Sequence, residues 1–249
     1  CNKLNNINFD IIRVLVTIDM NSMFSGCTNL EFINFNDIQF DVPINTNHMF
    51  SELNKLNDIS FNNIHFKEII DMRYMFSGCS ISNNINFKEI YFKGTTDIRF
   101  MFSGCIIEKK VSFDDINFEY ETDMSHMFEG CKKLSSLSFN NFKYSHSTNS
   151  NPLKINMDYM LADCNTLGSI SFQNFEDSGK IKITMRYFFK NCENFGTANF
   201  SCDNNNFNIK YIIDISHMFE DCTSLENINF DIDISKITDM SYLFEIVLV

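Results

Sequence analysis

Tryptophan is absent from the 249 residues, proline occurs twice, and Lys plus Arg number 20 against 32 Asp plus Glu. Scarce proline beside an apolar fraction of 44% excludes a disordered chain. A formal net charge of −12 argues against nucleic acid as a partner, because that binding depends on Lys and Arg neutralising phosphates. It also disfavours adsorption to an anionic membrane. No run approaches the ~20 consecutive apolar residues that a membrane-spanning helix needs. There is no Cys-x-x-Cys or Cys/His spacing suited to zinc. A Gly-rich phosphate loop and a nucleophile elbow are missing too. The sequence therefore reads as non-enzymatic, with no catalytic residue, metal or cofactor.

What the chain does have is a repeat. The pair Met23-Phe24 returns at Met49-Phe50, Met75-Phe76, Met101-Phe102, Met127-Phe128 and Met218-Phe219, with variants at Met160-Leu161, Phe188-Phe189 and Leu243-Phe244. Successive spacings are 26, 26, 26, 26, 33, 28, 30 and 25. Self-similarity of this period predicts a solenoid, whose units bury their apolar faces against one another. Residues 1–249 are thus expected to form a single array. The run from Cys1 to Phe9 matches Cys27 to Phe35, so the sequence reads as an excerpt of a longer array. Cys1 as a lipid-anchored terminus is the sharper alternative, but its repeat position already accounts for the residue.

Within one repeat two periods alternate. Asp19, Asn45, Asp71, Asp97, Asp123, Asn156, Thr184, Asp214 and Asp239 stand four residues before the Met-Phe pair, as helix caps would. Apolar residues at Met72, Met75, Phe76 and Cys79 follow with helical spacing. Gly26, Gly78, Gly104 and Gly130 then suit a left-handed helix stop. Beyond it the period is two, as at Ile33/Phe35 and Ile59/Phe61, often with a second pair such as Ile38/Phe40. The expected fold is an α/β solenoid: a leucine-rich-repeat-like right-handed superhelix with one short helix and one parallel strand per repeat.

The segments from Asp123 to Phe139, from Asp214 to Leu225 and from Asp239 to Phe244 resemble BspA-type leucine-rich repeats. That resemblance covers nearly the whole chain. It implies a cell-surface or secreted adhesion module whose partner is a host, matrix or other surface protein, with glycan as the second candidate. It carries over no catalytic residue. The alternative is an intracellular scaffold or signalling adaptor on the same solenoid. Two departures stand out: the second apolar pair is rich in Phe, and Ser82 and Glu108 occupy the Leu slot of the middle repeats.

Candidate contacts fall on two columns. The outward strand column holds Asn36, Asn62, Lys88, Asp114, Asn140, Gln173 and Asp231, and its variety suits recognition. The column preceding Met-Phe includes Tyr74, His126, Tyr159, Tyr187 and His217. It reads either as an exposed aromatic grip or, preferably, as stacking between coils. The column Asn34, Ser60, Asn86, Ser112, Ser138 and Ser171 carries only Asn and Ser and reads as a scaffold ladder. Eight of nine cysteines follow the repeat and read as a reduced core, which leaves Cys202 as the candidate reactive thiol. The insertion from Tyr144 to Lys154 and the Asp203-to-Asn206 run read as loops.

Overall fold

The computed structural model describes residues 1–83, 85–145, 152–172, 176–177, 181–195, 197–201, 211–231 and 234–246, with backbone alone at 176–177, 197–201 and 229–231. The period-two segments form long strands at Asn6–Val14, Phe32–Phe40, Asp58–Phe66, Ile85–Phe92 and Val111–Phe118. These stack in parallel, each coil upon the next. Ile33 pairs with Ile59 and Phe35 with Phe61, then Ile59 with Ile85 and Phe61 with Phe87. The sheet continues through Ser136–Ser138 and Ser169–Ser171. A second parallel sheet of eight short strands runs from Ile18–Asp19 to Ile212–Asp214.

The expected helix in each repeat does not form, so the α/β leucine-rich-repeat-like fold is corrected to a parallel β-solenoid. Among the described residues the sole helical element is a 3₁₀ turn at Ile234–Lys236. The reason lies in the backbone around the Met-Phe pair. Tyr74 and Gly78 have φ values of 56° and 71°. A right-handed helix cannot hold left-handed residues four apart. Hydrogen bonds alternate in direction accordingly. The N–H groups of Met72, Tyr74, Phe76 and Gly78 donate to Asp97, Arg99, Met101 and Ser103 on the next coil at 2.8, 3.1, 2.8 and 2.9 Å. Those of Met75, Ser77 and Cys79 donate three residues back, to Met72, Tyr74 and Phe76. Consecutive turns thus place Met72, Met75, Phe76 and Cys79 inward and reproduce the helical spacing without a helix.

The Asp column changes role with this correction. Asp71, Asp97, Asp123 and Asp214 accept, through Oδ1, the N–H two residues on, at 3.1, 3.2, 3.0 and 2.9 Å. These are Asx turns rather than helix caps. Thr184 lacks the carboxylate, and the N–H of Arg186 bonds instead to Asp158 on the preceding coil at 2.9 Å.

The second apolar pair belongs to the same strand. Asp37, Asn63, Glu89, Asp115 and Asn141 adopt φ of 55°, 53°, 57°, 60° and 56°. That one left-handed residue resets the alternation, so Ile33, Phe35, Ile38 and Phe40 all point into one core. The lost Leu is also accounted for. Ile81 and Ile107 are 1% and 0% exposed and fill the slot from short strands at Ser80–Ile81 and Ile106–Ile107.

The core consists of stacked phenyl rings. Phe50, Phe76, Phe102 and Phe128 stack at 5.3, 5.1 and 5.3 Å. Phe35, Phe61, Phe87 and Phe113 stack at 5.0, 5.0 and 4.8 Å, and the two ladders meet edge to face. From Cys79 onward each buried cysteine among the described residues donates its S–H to a carbonyl of the preceding coil, as from Cys79 to Phe50 at 3.0 Å and Cys131 to Phe102 at 3.1 Å. Burial pushes the Cys131 and Cys222 thiols from 9.0 up to about 12. Cys27, Cys79, Cys105, Cys131, Cys164, Cys192 and Cys222 are buried free thiols, whereas Cys1 is exposed.

The thiol column sets an alkaline limit. A thiol that ionises later in the fold than in the unfolded chain contributes stability that is complete below pH 9.0 and is lost as pH rises toward about 12. Urea midpoints should therefore fall between pH 8 and pH 10.5, and a folded-state thiol reagent should spare Cys105 and Cys131 while labelling Cys1. Rapid labelling of the inner pair would refute the buried column.

Candidate functional site

Two surfaces were marked by the sequence, and the fold treats them differently. The column preceding Met-Phe is half-buried between coils. Its rings stack continuously: His48 on Tyr74 at 4.8 Å, Tyr74 on Phe100 at 4.8 Å, Phe100 on His126 at 4.4 Å and His126 on Tyr159 at 4.7 Å. The stack goes on through Tyr159–Tyr187 at 4.5 Å, Tyr187–His217 at 4.3 Å and His217–Tyr242 at 4.8 Å. Tyr74, His126, Tyr159, Tyr187 and His217 therefore spend their faces on one another. His48, Tyr74, Phe100 and His126 all sit at left-handed φ, a conformation that costs such residues ~1–2 kcal/mol each. Stacking and cross-coil hydrogen bonds offset that strain.

The second surface is the outer side of the long sheet, which carries Asn36, Asn62, Lys88, Asp114 and Asn140 at successive coils. Gln173 lies outside the described residues. For Asp231 only the backbone, in the strand Asn227–Asp231, is described. Cys202 and the runs 146–151 and 203–206 are likewise outside the described residues.

Side chains on this sheet hold the neighbouring coil. Asn36 Oδ1 accepts the N–H of Asn62 at 3.0 Å and the hydroxyl of Ser60 at 3.1 Å. Asp114 Oδ1 accepts the N–H of Asn140 at 2.9 Å, and Asn140 accepts the hydroxyl of Ser171 at 3.1 Å. At the left-handed corner Asn63 donates to Asp37 at 2.6 Å and Asn141 to Asp115 at 2.8 Å. An open groove of about 470 Å³ is cut into this face, lined by Asn86, Lys88, Ser112, Asp114, Asp115, Asn140 and Asn141.

Charge on the second sheet is organised by residues that the sequence reading passed over. Arg73 bridges Asp71 at 2.6 Å and Asp97 at 3.5 Å, and Arg99 bridges Asp97 at 2.7 Å and Asp123 at 3.8 Å. Burial pushes the Asp71 carboxyl up, but the hydrogen bonds from Arg73 outweigh it and hold the group below its ordinary range. The Asp-x-Arg spacing at 71–73 and 97–99 was the available signal.

His217, Glu220 and Glu245 place their ligating atoms within 4.8 Å of one another. These groups are paired with one another and with Lys190. His217 Nδ1 lies 2.6 Å from Glu220, whose other oxygen pairs with Lys190 at 2.6 Å. Burial raises the Glu220 carboxyl, and the hydrogen bonds from Lys190 and His217 bring it below its ordinary value.

Among the described residues no helix is long and apolar enough to cross a membrane. No curated protein and no solved structure matches the chain. A family model does, and it is described as "Mycoplasma protein of unknown function, DUF285". It matches residues 3–90, 96–200 and 151–248. The BspA-type resemblance thus holds as far as a repeat solenoid. With these matches spanning nearly its whole length, the chain belongs to the DUF285 family.

Proposed function

We propose that the chain is a non-enzymatic interaction and adhesion module of a surface or secreted repeat protein, binding a protein partner along the outer face of its long sheet. The observation that carries this reading is where the sequence varies. Inward positions repeat Ile and Phe from coil to coil. The outward columns vary, through Asn36, Asn62, Lys88, Asp114 and Asn140, and at every step through Gln39, His65, Tyr91, Asn117 and Lys143. A scaffold needs no such variety, whereas recognition does. Solenoids bind through extended faces of this kind, and exposed polar residues on one rigid sheet are held in fixed relative positions.

A specific observation favours a second reading as an intracellular scaffold. The seven buried thiols are all free, as in a reducing compartment. Protease shaving of intact source cells separates the two. Release of the repeat region into the medium supports the surface reading, and complete protection supports the scaffold.

Binding itself is tested on the outer face. Asn117→Arg and Lys143→Glu change outward side chains on paired strands and are expected to leave stability within about 0.5 kcal/mol. Capture of surface proteins by the double variant should fall about tenfold, a loss of about 1.4 kcal/mol in binding. By contrast, Tyr159→Ala should lower the melting temperature through loss of two ring stacks, worth roughly 1–3 kcal/mol together. Undiminished capture by the face variant, with capture lost only in Tyr159→Ala at unchanged stability, would move the site to the aromatic column.

A further inference from the structure

The polar ladder on the long sheet is interrupted at Asn86 and Lys88, two residues that line the groove. At three steps a serine hydroxyl reaches back to the column oxygen of the preceding coil: Ser60 to Asn36 at 3.1 Å, Ser138 to Asp114 at 3.5 Å and Ser171 to Asn140 at 3.1 Å. Between the coils of Asn62 and Lys88 the sequence supplies Asn86 in the serine slot and Lys88 in the acceptor slot. Two consequences follow. Asn62 Oδ1 is buried and has no hydrogen-bond partner. Ser112, offered no acceptor by Lys88, turns instead to Asp114 on its own strand.

The same coil leaves donors unspent. Among the described residues the Asn86 amide makes no hydrogen bond, and its side chain is exposed. The Lys88 ammonium lies 3.4 Å from Glu89 and 4.0 Å from Asp115, with half its side chain in solvent. These groups open onto the groove of about 470 Å³, whose far wall is Asp114, Asp115, Asn140 and Asn141. That volume falls within the ~300–1,000 Å³ of small-ligand sites.

We infer that this groove is a saccharide-binding subsite that takes a neutral pyranose through its hydroxyls. Its lining selects that chemistry. Two carboxylates against one ammonium repel an anionic ligand, and the absence of apolar side chains from the wall gives an apolar ligand no favourable contact. A ring of vicinal hydroxyls, each both donor and acceptor, matches free donors on Asn86 and Lys88 facing acceptors on Asp114 and Asp115. The inference stands apart from protein recognition by the rest of the face, since it needs only these coils.

The test uses the methyl glycosides of glucose, galactose, mannose and N-acetylglucosamine, read by saturation-transfer NMR on the whole chain. At least one should bind saturably with Kd on the order of 1 mM. Asn86→Ser with Lys88→Asn restores the serine and acceptor found elsewhere. It should raise the melting temperature while weakening that glycoside about tenfold. Lys88→Met, which removes one exposed donor and no ladder contact, should weaken binding without moving the melting temperature. The inference is overturned if none of the four glycosides saturates, if the repaired ladder binds as the parent does, or if an Arg-rich peptide alone occupies the groove. Loss of protein capture in the Asn117/Lys143 variant with glycoside binding intact would show the two readings to be separable.

Discussion

Every coil of this protein is hydrogen-bonded to the next through the same backbone positions, and the rest of the structure depends on that registry. Phe76 donates to Met101 as Phe50 donates to Met75 and Phe102 to Met127, at 2.8 Å in each case. A residue therefore lies directly over its equivalent one repeat away, at about the spacing of paired strands. Like meets like. Phenyl rings at ~5 Å stack because the backbone leaves them no other neighbour, and thiols reach the carbonyl of the coil before. The registry also concentrates charge. Asp71, Asp97 and Asp123 would form a repelling column were Arg73 and Arg99 not set between successive carboxylates. A chain of net charge −12 stays compact partly through such local pairing.

The strands were legible in the sequence, and the turns were not. Alternating Ile and Phe on a polar background predicts a one-sided strand, and the strand at Phe32–Phe40 shows it. The Met-Phe segment misled because inward residues at Met72, Met75, Phe76 and Cys79 satisfy a helical template as well as two successive tight turns. What separates the two is a left-handed backbone at Ser22, His48, Tyr74, Phe100 and their equivalents. Side chains of these types give no warning of positive φ, for which glycine or asparagine is the usual signal. Only the glycines four residues later hinted at it, and a helix stop explained them equally well. The corner at Asp37, Asn63 and Asp115 is equally silent, because Asn and Asp suit a left-handed residue and any exposed position alike.

The candidate site was legible by column and illegible by contact. Outward residues could be assigned from the period, and Asn36, Asn62, Lys88, Asp114 and Asn140 do share one face. Whether they were available to a ligand was a question of register between neighbours. Asn36 and Asp114 are largely committed to the next coil's backbone, and no single repeat reveals that. The aromatic column shows the converse case. Its composition suited an interface as well as a stack, and ring separations of 4.3 to 4.8 Å commit it to the stack.

In an array whose side chains bond along the axis, a perfect ladder exhausts its own polar groups. Recognition then requires a mismatch. Where serine follows asparagine, as Ser60 follows Asn36, the hydroxyl donates to the amide oxygen and both groups are spent on the stack. Where Asn86 follows Asn62 and Lys88 follows it in turn, the pairing fails and an oxygen is left buried without a donor. Stability and binding compete for the same groups, so repair of the ladder and retention of a site exclude one another at that coil. Variation between repeats, which weakens the stack slightly at each step, is therefore where a solenoid of this composition acquires the capacity to bind.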